Sequence, residues 1–210
     1  LIQQEVMDEL GASQGKRPQM SQITQKAMNG ELDFKQSFLE RAALLKNVPT
    51  SALDEVIASV ELNEGAHRLI KSLRHFGYKI CLISGGFQEV GDYFANELGI
   101  DYVRANRLEV AKGKFTGNVV GEIIDADKKA ELLEDISANE GISLAQTIAV
   151  GDGANDLPML SKAGLGVAYR AKPVVKEQAK HAISHFGLDA ILYLIGFSDA
   201  DIEEALRSAS

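Results

Sequence analysis

The 210 residues contain a single cysteine, Cys81, which excludes an intramolecular disulfide or a cysteine-rich zinc site and points to a reducing compartment. A basic stripe is missing as well. Thirty acidic residues against 22 basic ones give a formal net charge of -8, which argues against a nucleic-acid partner. The longest apolar runs, such as 78–84 and 190–195, fall far short of the ~20 residues of a membrane helix. No signal-peptide pattern is present, so the chain reads as cytoplasmic, with no membrane partner. His67, His75, His181 and His185 show no metal-ligand spacing beyond the lone 181/185 pair. What is present, 45% hydrophobic and 25% charged residues, is the composition of an ordinary globular protein with a buried core.

Two styles of patterning follow one another. From residue 1 to about 59 the periodicity is helical throughout: Ile2, Val6, Met7 and Leu10 share a face, as do Phe34, Phe38, Leu39, Leu44 and Leu45. The first residues read as the inside of a helix without a cap. Breaks fall at 11–18, 29–30 and 47–50, where Thr50 looks like a cap for the next helix. From about residue 62 short apolar strands (78–83, 102–106, 147–150, 165–168) alternate with helices (64–76, 87–98, 127–139, 155–162), and a hairpin is expected over 107–120. Pro173 opens a further helix, and Lys172, Lys176 and Lys180 read as one solvated helix face. Alternation of this kind predicts a parallel sheet covered on both faces.

Ligands of open parallel sheets collect beyond the carboxyl ends of the strands, so those ends are the places to look for chemistry. At 83–87 a strand runs into Ser84, Gly85 and Gly86, a hydroxyl and bare backbone suited to a phosphate; an ordinary serine cap reads equally well. At 150–156, Val-Gly-Asp-Gly-Ala-Asn-Asp, two carboxylates stand four residues apart across a glycine turn. Asp152 and Asp156 there offer hard oxygen atoms to Mg²⁺, and Asn155 offers an amide to a substrate. Near a helix start, one of Lys128 and Lys129 could neutralise a phosphoryl group. Cys81, in an apolar strand, reads as inert core.

Together ISGG (83–86), DKK (127–129) and VGDGANDLPML (150–160) resemble motifs II, III and IV of the haloacid dehalogenase-like phosphohydrolases. The helical stretch, with QQEVMDEL, KAMNGELDF and ERAALLK, resembles the cap of the phosphoserine phosphatase subfamily. The resemblance implies a Rossmann-like α/β core over 62–210 with a small helical cap over 1–61. It makes Ser84, Gly85 and Asn155 phosphate or substrate ligands, Lys129 the neutralising lysine, Asp152 a Mg²⁺ ligand and Asp156 its catalytic neighbour. In the cap it has Glu5 meet a substrate ammonium and Arg41 a carboxylate, with Met28 and Phe34 closing over the pocket. An arginine fork suits a carboxylate bidentately; without the resemblance Glu5 and Arg41 are simply charges on helices.

The implied activity is hydrolysis of O-phospho-L-serine to L-serine and phosphate through an aspartyl-phosphate, the closing step of serine biosynthesis. The family's DxDxT motif, which carries the nucleophile and the acid/base, is not in these 210 residues. Its expected place is immediately before Leu1, on a central strand of the sheet, so these residues alone are expected to be inactive. Two alternatives stand beside this reading: a related phosphotransferase, and a non-catalytic module that binds phospho-amino acids. The sequence carries no signal for an oligomeric state.

Overall fold

A computed structural model describes residues 1–28 and 31–208, the Met28 side chain excepted. Four helices come first: α1 (Val6–Ser13), α2 (Arg17–Met28), α3 (Phe34–Leu44) and α4 (Ser51–Ser59). The first five residues are not helical. Ile2 forms an antiparallel bridge with Leu62, and Gln3 N–H donates to the Glu61 carbonyl, so apolar periodicity extended the expected helix too far. The break expected at 11–18 is also shorter than its span. Gly11 lies inside α1 against the Met20 side chain, and Pro18 sits in the first turn of α2, where a missing N–H costs nothing. Asp33 caps α3 by accepting from Gln36 N–H, and the Gln36 side chain returns the bond. Thr50 does not cap α4; its hydroxyl is turned to the Gly113 carbonyl.

The alternating half runs α5 (Ala66–His75), β1 (Cys81–Phe87), α6 (Gln88–Leu98), β2 (Tyr102–Ala111), β3 (Lys114–Val120), α7 (Ala126–Asn139), β4 (Ile148–Gly151), α8 (Leu157–Lys162) and β5 (Leu165–Tyr169). It ends with α9 (Pro173–Gln178), β6 (His181–Ile183), α10 (Ala190–Leu194) and α11 (Asp199–Ser208). β1 and β2 are parallel, and β2 turns back into β3 as the expected hairpin, with Arg107 opposite Val120. β4, β5 and β6 are parallel throughout. Among the described residues the strands form two three-stranded sheets, β1-β2-β3 and β4-β5-β6. Helix α7 bridges them, since Ile83 of β1 packs against a cluster holding Ala130, Ala149, Met159 and Leu160.

Val6, Met7, Leu10, Phe38 and Leu45 are buried as their spacing requires, but Leu39 is 46% exposed. These helical residues share one hydrophobic cluster with Phe87, Val90, Phe94, Leu108 and Phe115 of the strand half. The helical unit is thereby seated on the β1–β3 sheet and its hairpin. No helix of the described residues is long and apolar enough to cross a membrane.

Candidate active site

The loop after β4 is built around Asp156. Its Oδ1 receives Lys129 Nζ at 2.7 Å, and its Oδ2 accepts the backbone N–H groups of Asp152 (3.0 Å) and Gly153 (3.1 Å). Both side chains of the pair are 7% exposed. A charge pair this deep persists only when its remaining hydrogen-bonding capacity is met, as the two amides do here. The glycines of the motif make room for this arrangement. A Cβ on Gly151 would stand 2.6 Å from the Asp156 carboxyl carbon, so their immediate role is to let that carboxylate fold back on the loop.

Asp152 is exposed, and among the described residues no hydrogen bond or ion pair engages its carboxylate, although the Leu1 nitrogen and Glu5 both lie within range of its charge. Asn155, in a single 3-10 turn at Ala154–Asp156, is half-buried with its amide likewise free among the described residues. No group of three His, Cys, Asp or Glu side chains suited to a metal gathers among the described residues. The donor set is therefore one open carboxylate. That fits an ion such as Mg²⁺, which keeps several waters and takes one or two carboxylates plus phosphate oxygens.

Within β1, which runs past the end expected at residue 83, the pairing with β2 shifts between Ile83 and Phe87, and there Ser84 Oγ accepts from Gly86 N–H at 3.0 Å, leaving its proton free to donate. Gly85 is covered by the Phe34 ring, whose Cζ would stand 2.7 Å from a Cβ at that position. Asn106 of β2, fully buried, ties this motif to α7: its Nδ2 donates to the Gly85 carbonyl (2.9 Å) and its Oδ1 accepts Ile124 N–H (2.8 Å). Asp125 then caps α7 by accepting from Lys128 N–H. One turn later comes Lys129, while Lys128 is spent on Glu122 and Glu131. Lys35, beside Phe34, reaches Asp125 Oδ2 at 3.0 Å, so the first turn of α3 is fastened to the core at both residues.

The helical unit adds the remaining charges. Arg41 Nη1 lies 3.5 Å from Asp8 Oδ1, and its Nε donates to the Ser37 carbonyl at 3.4 Å. Glu5 is exposed and immediately precedes α1. Desolvation raises its carboxyl above the ordinary range, with Arg41 pulling down and Asp8 and Asp152 pushing up. Lys172 acts on it too. That lysine does not share a helix face with Lys180, since α9 ends at Gln178; it is the residue preceding α9, and its N–H donates to the Asp152 carbonyl at 3.3 Å. The structure thus joins Lys129, Asp152, Asn155 and Asp156 on one loop and helix, Ser84 and Gly85 beside Phe34, and Glu5 beside Arg41. Met28 is the one expected pocket residue whose side chain lies outside the described residues. Asp8 and Asn106 escaped the sequence reading, and Lys172 was read only as part of a solvated helix face. Only Asn106, a polar residue inside an apolar strand, carried a local signal.

A family model for haloacid dehalogenase-like hydrolases matches residues 5–161. The chain belongs to that family. Within it, the chain is 47% identical over 205 residues to a phosphoserine phosphatase of Streptomyces coelicolor, covering 98% of the chain and 50% of the relative. A phosphoserine phosphatase of Streptococcus thermophilus is 47% identical over 195 residues, 93% of the chain and 91% of the relative. A substrate-bound phosphoserine phosphatase structure superposes with a TM-score of 0.86 at 42% identity, covering 92% of each chain. These relatives place the chain beside the phosphoserine phosphatases, although it spans only half the length of the Streptomyces protein.

Proposed function

We propose that the protein is a Mg²⁺-dependent phosphomonoesterase that releases L-serine and phosphate from O-phospho-L-serine. The observation that carries this reading is a grouping of charges: the open carboxylate of Asp152 lies near Glu5, and Glu5 lies near Arg41, opposite charges that match the ammonium and carboxylate of an amino acid. The phosphoryl group would lie between Ser84 and Lys129. There the Ser84 hydroxyl would donate to its oxygens, while the Lys129 ammonium would offset charge that builds up during transfer. Asp156 holds that ammonium in place and does not itself meet substrate, both its oxygens being engaged. Asp152 would hold Mg²⁺, which supplies charge neutralisation at the phosphate oxygens when bound.

The covalent course of the reaction assigns the attacking carboxylate to the family's DxDxT motif, which these 210 residues do not contain. A phospho-aspartyl intermediate analogue of a phosphoserine phosphatase, 42% identical to this chain with a TM-score of 0.86, supports that course. Phe34 over Gly85 and the Lys35–Asp125 ion pair hold the first turn of α3 beside this end of the site, where it would limit access of bulk water to the phosphoryl group. The test is a product assay on the full-length protein. Phosphate release from O-phospho-L-serine should exceed release from p-nitrophenyl phosphate, which has neither ammonium nor carboxylate. Equal turnover of the two would remove the amino-acid reading, and phosphoryl transfer to added alcohols in preference to water would make the enzyme a phosphotransferase.

A further inference from the structure

We propose that Asp8 is a positioning residue for specificity: it holds the Arg41 guanidinium away from Glu5, so that the two opposite charges of the pocket stay open to a zwitterionic ligand instead of neutralising each other. The proposal rests on the phospho-amino-acid reading above and adds a residue to it. Glu5 immediately precedes α1 and Asp8 lies in its first turn, three residues apart and so on one side of the helix start. Arg41 arrives from α3 and makes its ion pair with Asp8, 3.5 Å away, and not with Glu5. Its Nε is held by the Ser37 carbonyl, and its Nη2 has no partner among the described residues.

Arg41 is nevertheless near enough to Glu5 to pull its proton affinity down. Without the Asp8 charge, Arg41 is free to turn to Glu5, a carboxylate that already feels its charge and whose desolvation makes pairing worth more than it is in the open. The pocket would then close on itself. A substrate would have to break an Arg41–Glu5 bridge before using either group, a cost on binding that leaves the phosphate end untouched.

The experiment is steady-state kinetics on the full-length protein with O-phospho-L-serine and p-nitrophenyl phosphate, for Asp8→Asn, Asp8→Glu, and Asp8→Asn combined with Glu5→Gln. Asp8→Asn should raise KM for phosphoserine about tenfold with kcat within about twofold, and leave p-nitrophenyl phosphate unchanged. Asp8→Glu should restore most of the loss. Once Glu5→Gln has removed the competing anion, Asp8→Asn should add little, a coupling that a merely structural role of Asp8 would not produce. An unchanged KM, an equal loss on both substrates, or a full Asp8→Asn effect in the Glu5→Gln background overturns the proposal. A parent enzyme with no preference for phosphoserine overturns the functional reading and the Asp8 role together; a parent that prefers it, with an inert Asp8→Asn, overturns the Asp8 role alone.

Discussion

The two ends of the proposed site hold their charges in opposite ways. At the phosphate end, Lys129 and Asp156 are buried, 2.7 Å apart, and locked to two backbone amides. At the recognition end, Arg41 and Asp8 stand 3.5 Å apart, and no hydrogen bond or ion pair among the described residues holds the Glu5 carboxylate. The difference follows the work each end does. A group that must meet developing charge in a fixed geometry is preorganised, so that nothing has to reorganise during the reaction. Groups that must accept a ligand's own charges are left with capacity to spare, and the ligand satisfies it.

Mutations should separate the ends along this line. Lys129→Ala should lower kcat about a thousandfold. It should also destabilise the fold by about 3 kcal/mol, because it strands a buried carboxylate; a variant melting with the parent in a thermal scan would show that the phosphate end is not structurally committed. Asp152→Asn comes next. It should raise the Mg²⁺ concentration for half-maximal activity about a hundredfold with little change in melting temperature, since that carboxylate has no partner to lose among the described residues. A Mg²⁺ titration indistinguishable from that of Lys129→Ala would merge the two roles.

At the recognition end, Arg41→Ala should raise KM for phosphoserine about thirtyfold while sparing p-nitrophenyl phosphate. The same end should be the acid-sensitive one. Desolvation raises the Glu5 carboxyl, so protonation begins at a higher pH than for a free carboxylate, and phosphoserine KM should climb on acidification before kcat falls. The stability sign is opposite: a raised acid pKa means the folded state binds the proton more tightly, so this contribution is present at low pH and lost as pH rises through the folded value. A KM that climbs only at the pH where kcat falls would break the comparison. The smallest effect belongs to Lys35→Ala. Its ion pair to Asp125 is solvent-exposed on the lysine side and should change kcat by about twofold or less, with no loss of substrate preference.

The parts of this arrangement that were legible in the sequence are those where local chemistry is unusual. Asp152 and Asp156 stand in a glycine turn after an apolar strand, a context that surface carboxylates rarely share, and Ser84 with Gly85 and Gly86 interrupts the apolar run of β1. The alternation of strands and helices and the 107–120 hairpin were readable from periodicity alone. Asp8 was not, because a carboxylate in the first turn of a helix has ample reason to be there without a partner. Ile2 misled for the converse reason: apolar spacing cannot distinguish a helix from an extended segment that bridges Leu62. The three-residue strand β6, exposed at His181 and Ala182, shows no apolar run to read. Lys172 reached the proposed site through a turn, where Arg170 takes a left-handed conformation that no residue type announced.

Cys81 carries a practical consequence. Burial pushes its thiol up to about 12, against a weaker opposing pull from Arg104, which disfavours the thiolate, the reactive form. These 210 residues therefore bring almost no background to sulfhydryl labelling. A cysteine introduced at exposed Leu39 of α3 could carry a single maleimide dye, and its emission would report the approach of that helix to Gly85 as substrate is mixed in.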